Sequence, residues 1–372
     1  MDYGFSEEQE MFRKSARDFL QAECPRTLVR DIEEQKRDYS PDVYRKMASL
    51  GWLGLCIPEE YGGVGGNWVD MAIFYEEIGR ALLPSPHFST IVLSAQAILA
   101  SGREEQKSSL LPRIANGDII VAFALTEPEA GANLELLSTS AIAKGGAYLI
   151  NGTKLFISYA HLADYIITVA QTGKDENSAF LVEKGSPGLM CFPMDSLGGE
   201  RLCEVAYQGV EVPGGSLLGK LGNARGIIEV TEKAKVMSCL SMIGSAQVAL
   251  EMAVDYAKQR IQFDVPIGSF QALQHKMVDM ALAIEGVRWL GYNVAWLISE
   301  HIPCAMEMAM LNLKAGQACR FATAEAIQIH GGMGTMEAHD ISLYFRRVKA
   351  AQLNLGYPEA HREIIAQHLG FK

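Results

Sequence analysis

Grouped positive charge, paired cysteines, metal-ligand spacing and long apolar runs are all scarce in this chain, and each shortage removes a class of function. Across 372 residues the formal net charge is −11, and no basic block exceeds Arg346-Arg347. Broad nucleic-acid binding is excluded on that basis, because it needs clustered Lys and Arg to neutralise phosphates. The seven cysteines are an odd number with no CxxC pair, which argues against a disulfide framework or a zinc site. Reduced, buried thiols are expected instead, as in a cytoplasmic protein. The eight histidines show no metal or triad spacing, so no metal is expected and surface or satisfied core positions are the simpler reading. No apolar run approaches the ~20 residues that span a bilayer, and no membrane insertion is expected. The first nine residues lack the basic and apolar regions of an export signal. Ser6 and Gln9 form a capping-box pattern there, so folded structure is expected to begin at once. Internal repeats and low-complexity segments are absent as well.

What remains is an ordinary globular composition, 49% hydrophobic and 21% charged. At roughly 150 residues per domain, the length predicts two or three domains. From Ser6 to about Asn116 the apolar period is helical, as in Met11, Phe12, Ala16, Phe19 and Leu20 and again from Met71 to Leu83. Pro58, Gly62-Gly63 and Gly65-Gly66 punctuate these helices. Between about Asp118 and Leu218 short β-prone runs such as Tyr165–Val169 and Ser178–Val182 alternate with turns, which reads as an antiparallel β domain. The helical period returns after Gly226, with breaks at Pro266–Gly268, Pro303 and Gly331–Gly334. The expected class is therefore α+β, with helical residues 1–117, a β domain at 118–225 and helices at 226–372. The two helical regions are expected to pack into one bundle with the β domain inserted.

Four segments carry chemistry. Phe123-Ala-Leu-Thr-Glu-Pro-Glu-Ala-Gly-Ala-Asn133 is a turn ending in a glycine, and Asn151-Gly-Thr-Lys-Leu-Phe-Ile-Ser158 follows it. Phe156 and Ser158, two residues apart on a strand, share a face. In Arg260-Ile-Gln-Phe-Asp-Val-Pro-Ile-Gly-Ser-Phe-Gln271 a helix is expected to end near Phe263, Pro266 and Gly268 to force a turn, and Ser269 to cap the next helix. Gln271 then falls in a first turn whose free N–H groups favour a phosphate. Arg260 and Phe263 are expected one turn apart on the preceding helix, offering a cation and an aromatic from one face. Gln328-Ile-His-Gly-Gly-Met-Gly334 is a loop whose glycines let backbone approach a ligand. No βαβ unit surrounds it, so it is not a Rossmann fingerprint.

In this order the segments resemble the acyl-CoA dehydrogenase family, over essentially the whole chain. The resemblance implies a helical N-terminal domain, a central antiparallel β domain and a C-terminal four-helix bundle, with FAD as cofactor. It implies that the Leu125 backbone, Thr126, Gly131, Ala132, Phe156 and Ser158 form a flavin wall. Thr126 would reach the pyrimidine oxygen, Phe156 would pack on the ring and Ser158 would bond N5. Arg260, Phe263 and Gln271, with Gln328, Gly331 and Gly332, would hold the adenosine-diphosphate half of a FAD whose flavin lies in a neighbouring subunit. Phe156 and Ser158 stand where the family often has Trp and Thr, and both keep the chemistry. Ala132-Asn133 stands for the usual Ser-Asp, and the lost hydroxyl is worth about 1–3 kcal/mol if buried against the pyrophosphate. Asp264 replaces the family's usual glycine. Facing the pyrophosphate it would repel it, and facing solvent it would be harmless.

The resemblance also exposes a gap. The family removes a proton from the substrate Cα with a glutamate, yet counting on from the glycine loop places Leu355 there. Counting back from Arg260 places Ala234 at the alternative glutamate position. Glu359 and Asp340 are the nearest carboxylates, and they read as a surface residue and a helix cap. The catalytic base is thus unassigned. Members resembling steroid side-chain dehydrogenases are paired assemblies, and His330-Gly331-Gly332 with Leu343–Arg347 looks more like those members. The expected function is α,β-dehydrogenation of an acyl-CoA to a 2-enoyl-CoA within a heteromeric dimer of dimers, in lipid or steroid catabolism. There a second acyl-CoA dehydrogenase-like subunit brings the carboxylate and its own flavin wall, and electron-transfer flavoprotein takes the electrons. An active homotetramer with a non-standard base, and a flavin monooxygenase or oxidase on the same fold, are the alternatives.

Overall fold

In the computed structural model, which describes residues 4–131, 133 and 136–371, local signals in the sequence start the first helices. Helix α1 (Glu7–Glu23) opens on the predicted capping box, with the Gln9 amide donating to Ser6 Oγ at 3.1 Å and the Ser6 amide to Gln9 Oε1 at 3.2 Å. Helix α2 (Arg26–Glu34) follows, then α3 (Pro41–Ser49), capped by Ser40 with proline at its first position. Helix α4 (Trp68–Ala81) has its own capping box from Asn67 and Asp70. A π-helical segment (Phe88–Ala95), α5 (Gln96–Ser101) and α6 (Glu104–Ala115) complete the N-terminal helices.

The strands are β1 (Val121–Ala124), β2 (Ser140–Lys144), β3 (Ala147–Ser158), β4 (Tyr165–Gly173), β5 (Glu176–Glu183), β6 (Leu189–Met194), β7 (Leu202–Pro213) and β8 (Leu217–Leu218). They form one sheet in the order β6-β7-β3-β2-β4-β5-β8, with β1 paired to β4. The antiparallel expectation holds for most pairs and fails at two: β1 runs parallel to β4, and β2 meets β4 in parallel at Ser140 and Gln171. A parallel neighbour cannot be reached by a tight hairpin, and here the β2–β3 hairpin supplies the crossover between β1 and β4. Ile150, Ile157, Phe180, Val205 and Val210 are among the fully buried side chains between the strands.

Helix α7 (Arg225–Gln259) is followed by a small hairpin, β9 (Ile261–Gln262) and β10 (Val265–Pro266), then by α8 (Gln271–Ser299), α9 (Ala305–His330), α10 (Ile341–Asn354) and α11 (Pro358–His368). By length and composition α7 could cross a membrane, which corrects the expectation that no such run exists. Most of its apolar stretch is buried inside the protein, as the core helix of a bundle requires.

The chain divides into two compact units. One holds residues 4–35, Asn67–Leu83 and 235–371; the other holds Lys36–Gly66 and Pro84–Ala234. The N-terminal helices are therefore shared out. Helices α1, α2 and α4 join the C-terminal helices, whereas α3, the π-helical segment, α5 and α6 go with the sheet, so the single inserted bundle holds for only part of them. The π-helical segment shows why: Ser89, Thr90 and Ser94 all donate hydroxyls to the Val121 carbonyl on β1.

In the helical unit α9 packs on α8, α10 and α11, the last a fifth helix beyond the expected four. Two glycines set the approach of α4 to α7. A Cβ at Gly79 would lie 1.9 Å from the Ser241 carbonyl oxygen, and one at Gly244 would lie 2.0 Å from that of Glu76. The Ser245 hydroxyl closes the contact with a 2.8 Å bond to the Gly79 carbonyl. The buried Glu77 of the same unit is paired, Arg17 forking onto it at 2.6 and 2.9 Å, and Arg80 forks onto the partly exposed Glu251 at 2.9 and 3.1 Å.

Candidate functional site: a bulged β wall and a hairpin–glycine-loop surface

The sequence motifs fall into two local constructions, one in each unit. In the sheet unit, β1 runs out into Leu125 and Thr126, and the Thr126 carbonyl accepts the Leu155 amide at 2.9 Å. Glu127 and Gly131 then exchange backbone hydrogen bonds at 2.8 and 3.0 Å, closing the Thr-Glu-Pro turn. Gly131 has φ +55, and a Cβ there would meet nothing within 4 Å, so backbone conformation rather than crowding selects glycine. Ala132 lies outside the described residues, and Asn133 is exposed.

Strand β3 carries a bulge between Lys154 and Ile157. Phe156 takes φ +60 within it and is 53% exposed, while Ile157 is buried and Ser158 half-buried. Phe156 and Ser158 thus lie on the side away from the core, as the period-two argument expected, but the ring is presented by an irregularity rather than by a regular strand.

The sequence reading missed what holds this wall. Lys154 is fully buried, and its Nζ donates to the Leu125 carbonyl at 2.9 Å and to Glu127 Oε1 at 2.8 Å. Glu127 also accepts the amide and hydroxyl of Ser138 at 2.6 and 2.8 Å and the Thr139 amide at 3.0 Å. Burial alone would raise the Glu127 carboxyl, but the bonds from Lys154, Thr139 and Ser138 outweigh it and hold it at about 2. A signal existed: Lys154 lies four residues after Ile150, in the inward register of its strand, and a lysine there demands a buried acceptor.

His161 is one of the histidines expected to be surface or satisfied core residues, and it is satisfied on both ring nitrogens. His161 Nε2 bonds Asp38 Oδ1 at 2.7 Å, and its Nδ1 lies 3.2 Å from Cys203 Sγ. This Cys–His–Asp line resembles a nucleophilic triad, but Cys203 is fully buried and burial raises its thiol, so the sulfur is neither accessible nor activated. Its role is to tie the loop after Ser158 to β7.

In the helical unit, α7 stops at Gln259, and this corrects the helix expected to run to Phe263. Arg260 leads into the hairpin, whose two turn residues, Phe263 and Asp264, both have positive φ, +54 and +65. Positive φ is tolerated by Asp and is unusual for Phe, so Asp264 suits the turn better than Phe263 does; the Asp264 side chain is exposed. Arg260 and Phe263 are consequently hairpin neighbours rather than helical ones. Phe263 is 88% exposed and meets Phe270 edge-on at 6.2 Å. Gln271 begins α8 as expected, yet Ser269 does not cap it; the Ser269 hydroxyl donates to the Pro266 carbonyl, and α8 has no side-chain cap. Its first amides are thus left for another acceptor.

The glycine loop lies at the end of α9. Gln328, Gly331 and Gly332 are exposed, and a Cβ on either glycine would meet nothing within 4 Å. His330 is buried, donates from Nδ1 to the Ala326 carbonyl at 2.7 Å and stacks on Tyr256 at 4.6 Å. Burial lowers its pKa, and so does His339 beside it. Tyr256 accepts the Arg260 amide at 2.8 Å, so this stack brings together the hairpin and the loop, two motifs about 70 residues apart.

The expected base positions are apolar and buried. Leu355, just past α10, is 2% exposed; its carbonyl accepts His361 Nε2 at 2.8 Å. Ala234 on α7 is 1% exposed. Neither weak candidate substitutes. Glu359 is exposed on α11 and bonded to Arg362 at 3.0 Å, and the break at Leu355–Tyr357 removes the helical spacing that would have aligned it with Leu355. Asp340 stands at the start of α10 without capping it, held by Arg30 at 2.8 Å and Arg26 at 3.3 Å. Among the described residues no group of three metal-ligating side chains exists.

Comparison with known proteins places this architecture. The chain matches the acyl-CoA dehydrogenase N-terminal domain over residues 6–118, the middle domain over 122–210 and the C-terminal domain over 225–370. It is 36% identical to an acyl-CoA dehydrogenase of Bacillus subtilis over 98% of both chains. It is 32% identical to a subunit of the caffeyl-CoA reductase–Etf complex of Acetobacterium woodii, covering 97% of this chain and 98% of that one. The solved butyryl-CoA dehydrogenase of Megasphaera elsdenii superposes with a TM-score of 0.91 at 30% identity, over 99% of this chain and 100% of that one. The chain belongs to the acyl-CoA dehydrogenase family, whose members are FAD-dependent oxidoreductases.

Proposed function

We propose that this chain is one subunit of a heteromeric acyl-CoA dehydrogenase that converts an acyl-CoA thioester to its 2-enoyl-CoA. The observation that carries the proposal is Leu355, a buried aliphatic side chain at the position counted for the proton-accepting glutamate. It cannot take a proton, and neither can Ala234.

The chain's residues fit FAD on two observations. An exposed aromatic is presented on a bulge beside Ser158, and an open glycine surface adjoins a hairpin that leads to the uncapped start of α8. FAD, when bound, supplies the hydride acceptor. The Leu125 backbone, Thr126, Gly131 and Ser158 would hold the pyrimidine and N5 edges of its ring, and Phe156 would exclude water from one face. Arg260, Phe263, Gln271, Gln328, Gly331 and Gly332 would hold the adenosine-diphosphate half of a FAD seated in a different subunit. The Cα proton would go to a carboxylate of a second acyl-CoA dehydrogenase-like subunit. The relative in an Etf complex supports electron-transfer flavoprotein as the electron acceptor. Seven free thiols suit a reducing compartment such as the cytoplasm.

The test is to purify the chain alone and with a second family subunit, then record flavin spectra and turnover of fatty, branched, aromatic and steroid acyl-CoAs with an artificial acceptor. Turnover that appears only with the second subunit is expected. Full turnover by the chain alone, abolished by Glu359→Gln or Asp340→Asn, would replace the heteromer with a homotetramer and name its base. Rapid oxygen uptake would instead indicate an oxidase.

A further inference from the structure

We infer that Lys154 and Glu127 are positioning residues for the flavin face, acting as one buried ion pair that aligns the Thr126 amide with the Phe156 bulge. The inference rests on the wall formed by these segments receiving a flavin.

The geometry runs through a single peptide plane. Lys154 Nζ draws the Leu125 carbonyl inward with a 2.9 Å bond. The peptide after Leu125 is trans, as are all the described peptide bonds, so the Thr126 N–H in the same plane points the opposite way, out of the core. Glu127, bonded to Lys154 at 2.8 Å, fixes the next residue from the other side. It is held in turn by Ser138 and Thr139. The Leu155 amide, donating to the Thr126 carbonyl, adds a third tie, immediately before the residue that bulges. One lysine therefore orients a donor on the Thr-Glu-Pro turn and anchors the strand that presents Phe156 two residues later.

The physical need for such a device is clear. A flavin edge must meet donors already aimed, because a misaimed amide forfeits its hydrogen bond and stays desolvated. A buried ion pair is a poor source of net stability, since desolvation offsets its attraction, but the direction of its bonds is well defined. A lysine with no exposed surface is best explained by that direction.

The experiment separates orientation from stability. Lys154→Met alone leaves a buried carboxylate unpaired and tests the pair most severely. The double variant Lys154→Met, Glu127→Leu removes both charges and is expected to keep the fold, read by circular dichroism and thermal melting. Glu127→Gln keeps the shape and serves if the double variant does not fold. Each is made in the full chain, with the second subunit where assembly requires it. The readouts are FAD affinity from quenching of flavin fluorescence, and the position and fine structure of the visible flavin bands. A folded double variant, or folded Glu127→Gln, with at least about tenfold weaker FAD binding and shifted bands is expected. Wild-type affinity and spectrum in those variants would overturn the inference while leaving the flavin reading intact. A wild-type protein that takes up no FAD, alone or assembled, would overturn both.

Discussion

Replacing Arg260 by Ala should separate the cofactor role of the hairpin from the stability of the fold. Arg260 is exposed, and among the described residues its guanidinium makes no ion pair. Its structural bonds are backbone ones, the amide donating to Tyr256 at 2.8 Å and the carbonyl accepting Ile267 at 2.8 Å, and alanine keeps both. The change in folding stability should therefore stay within about 0.5 kcal/mol, as for other exposed sites. A guanidinium on a pyrophosphate contributes charge-assisted bonds worth about 1.5–3 kcal/mol, so FAD should bind roughly 10–150-fold more weakly. The assay is flavin content after gel filtration, with a fluorescence titration of FAD into apoprotein, at matched assembly state because the ring is proposed to lie in another subunit. Unchanged flavin content with unchanged assembly would refute the assignment of Arg260. A parallel fall in melting temperature and flavin would show instead that the hairpin is structural.

Three further outcomes test other parts of the structure. Leu355→Glu should raise turnover of the chain-alone preparation, since general-base catalysis is typically worth about 10²–10⁴-fold; no gain in a folded, flavin-loaded variant would mean that Leu355 is not the base position. Burial lowers His87 to about 4, against a smaller opposing pull from its bond to the Trp52 carbonyl. The folded state thus keeps it neutral, and stability should be whole above about pH 6.5 and lost as pH falls toward 4, by about 3 kcal/mol in all. His87→Gln should flatten that slope in melts taken across the range, and an unaltered slope would assign the acid sensitivity elsewhere. Gly244→Ala would put a methyl 2.0 Å from the Glu76 carbonyl oxygen, and the forced separation of α4 from α7 should cost at least about 1–3 kcal/mol; an unchanged melting temperature would refute the close helix contact.

The division between sequence and structure can be read residue by residue. Local rules sufficed wherever the cause was local. Ser6 with Gln9 and the change of apolar period around residues 118 and 226 needed only neighbouring residues to be read, as did Gln271 at the start of a helix. The motifs around Thr126, Phe156, Arg260 and the Gln328 loop stood out in the sequence because together, in that order, they resemble a family pattern. What required the tertiary structure was every feature whose cause lies far along the chain. Lys154 is explained by Glu127, 27 residues away, and His161 by Asp38, 123 away. The proximity of the hairpin to the glycine loop depends on Tyr256 stacking on His330. Helix α7 ends before Phe263 because the two-residue turn at Phe263–Asp264 closes a hairpin, which helical periodicity does not register. The β1–β4 pairing is parallel because a crossover, not a turn, joins them. By itself the sequence determined periodicity, the Ser6–Gln9 capping box and the inventory of reactive groups, since these follow from bonds within a few residues. Only the folded chain decided which groups meet, which face the exposed ring takes and how a buried lysine is satisfied, because those depend on packing between segments that no local spacing records.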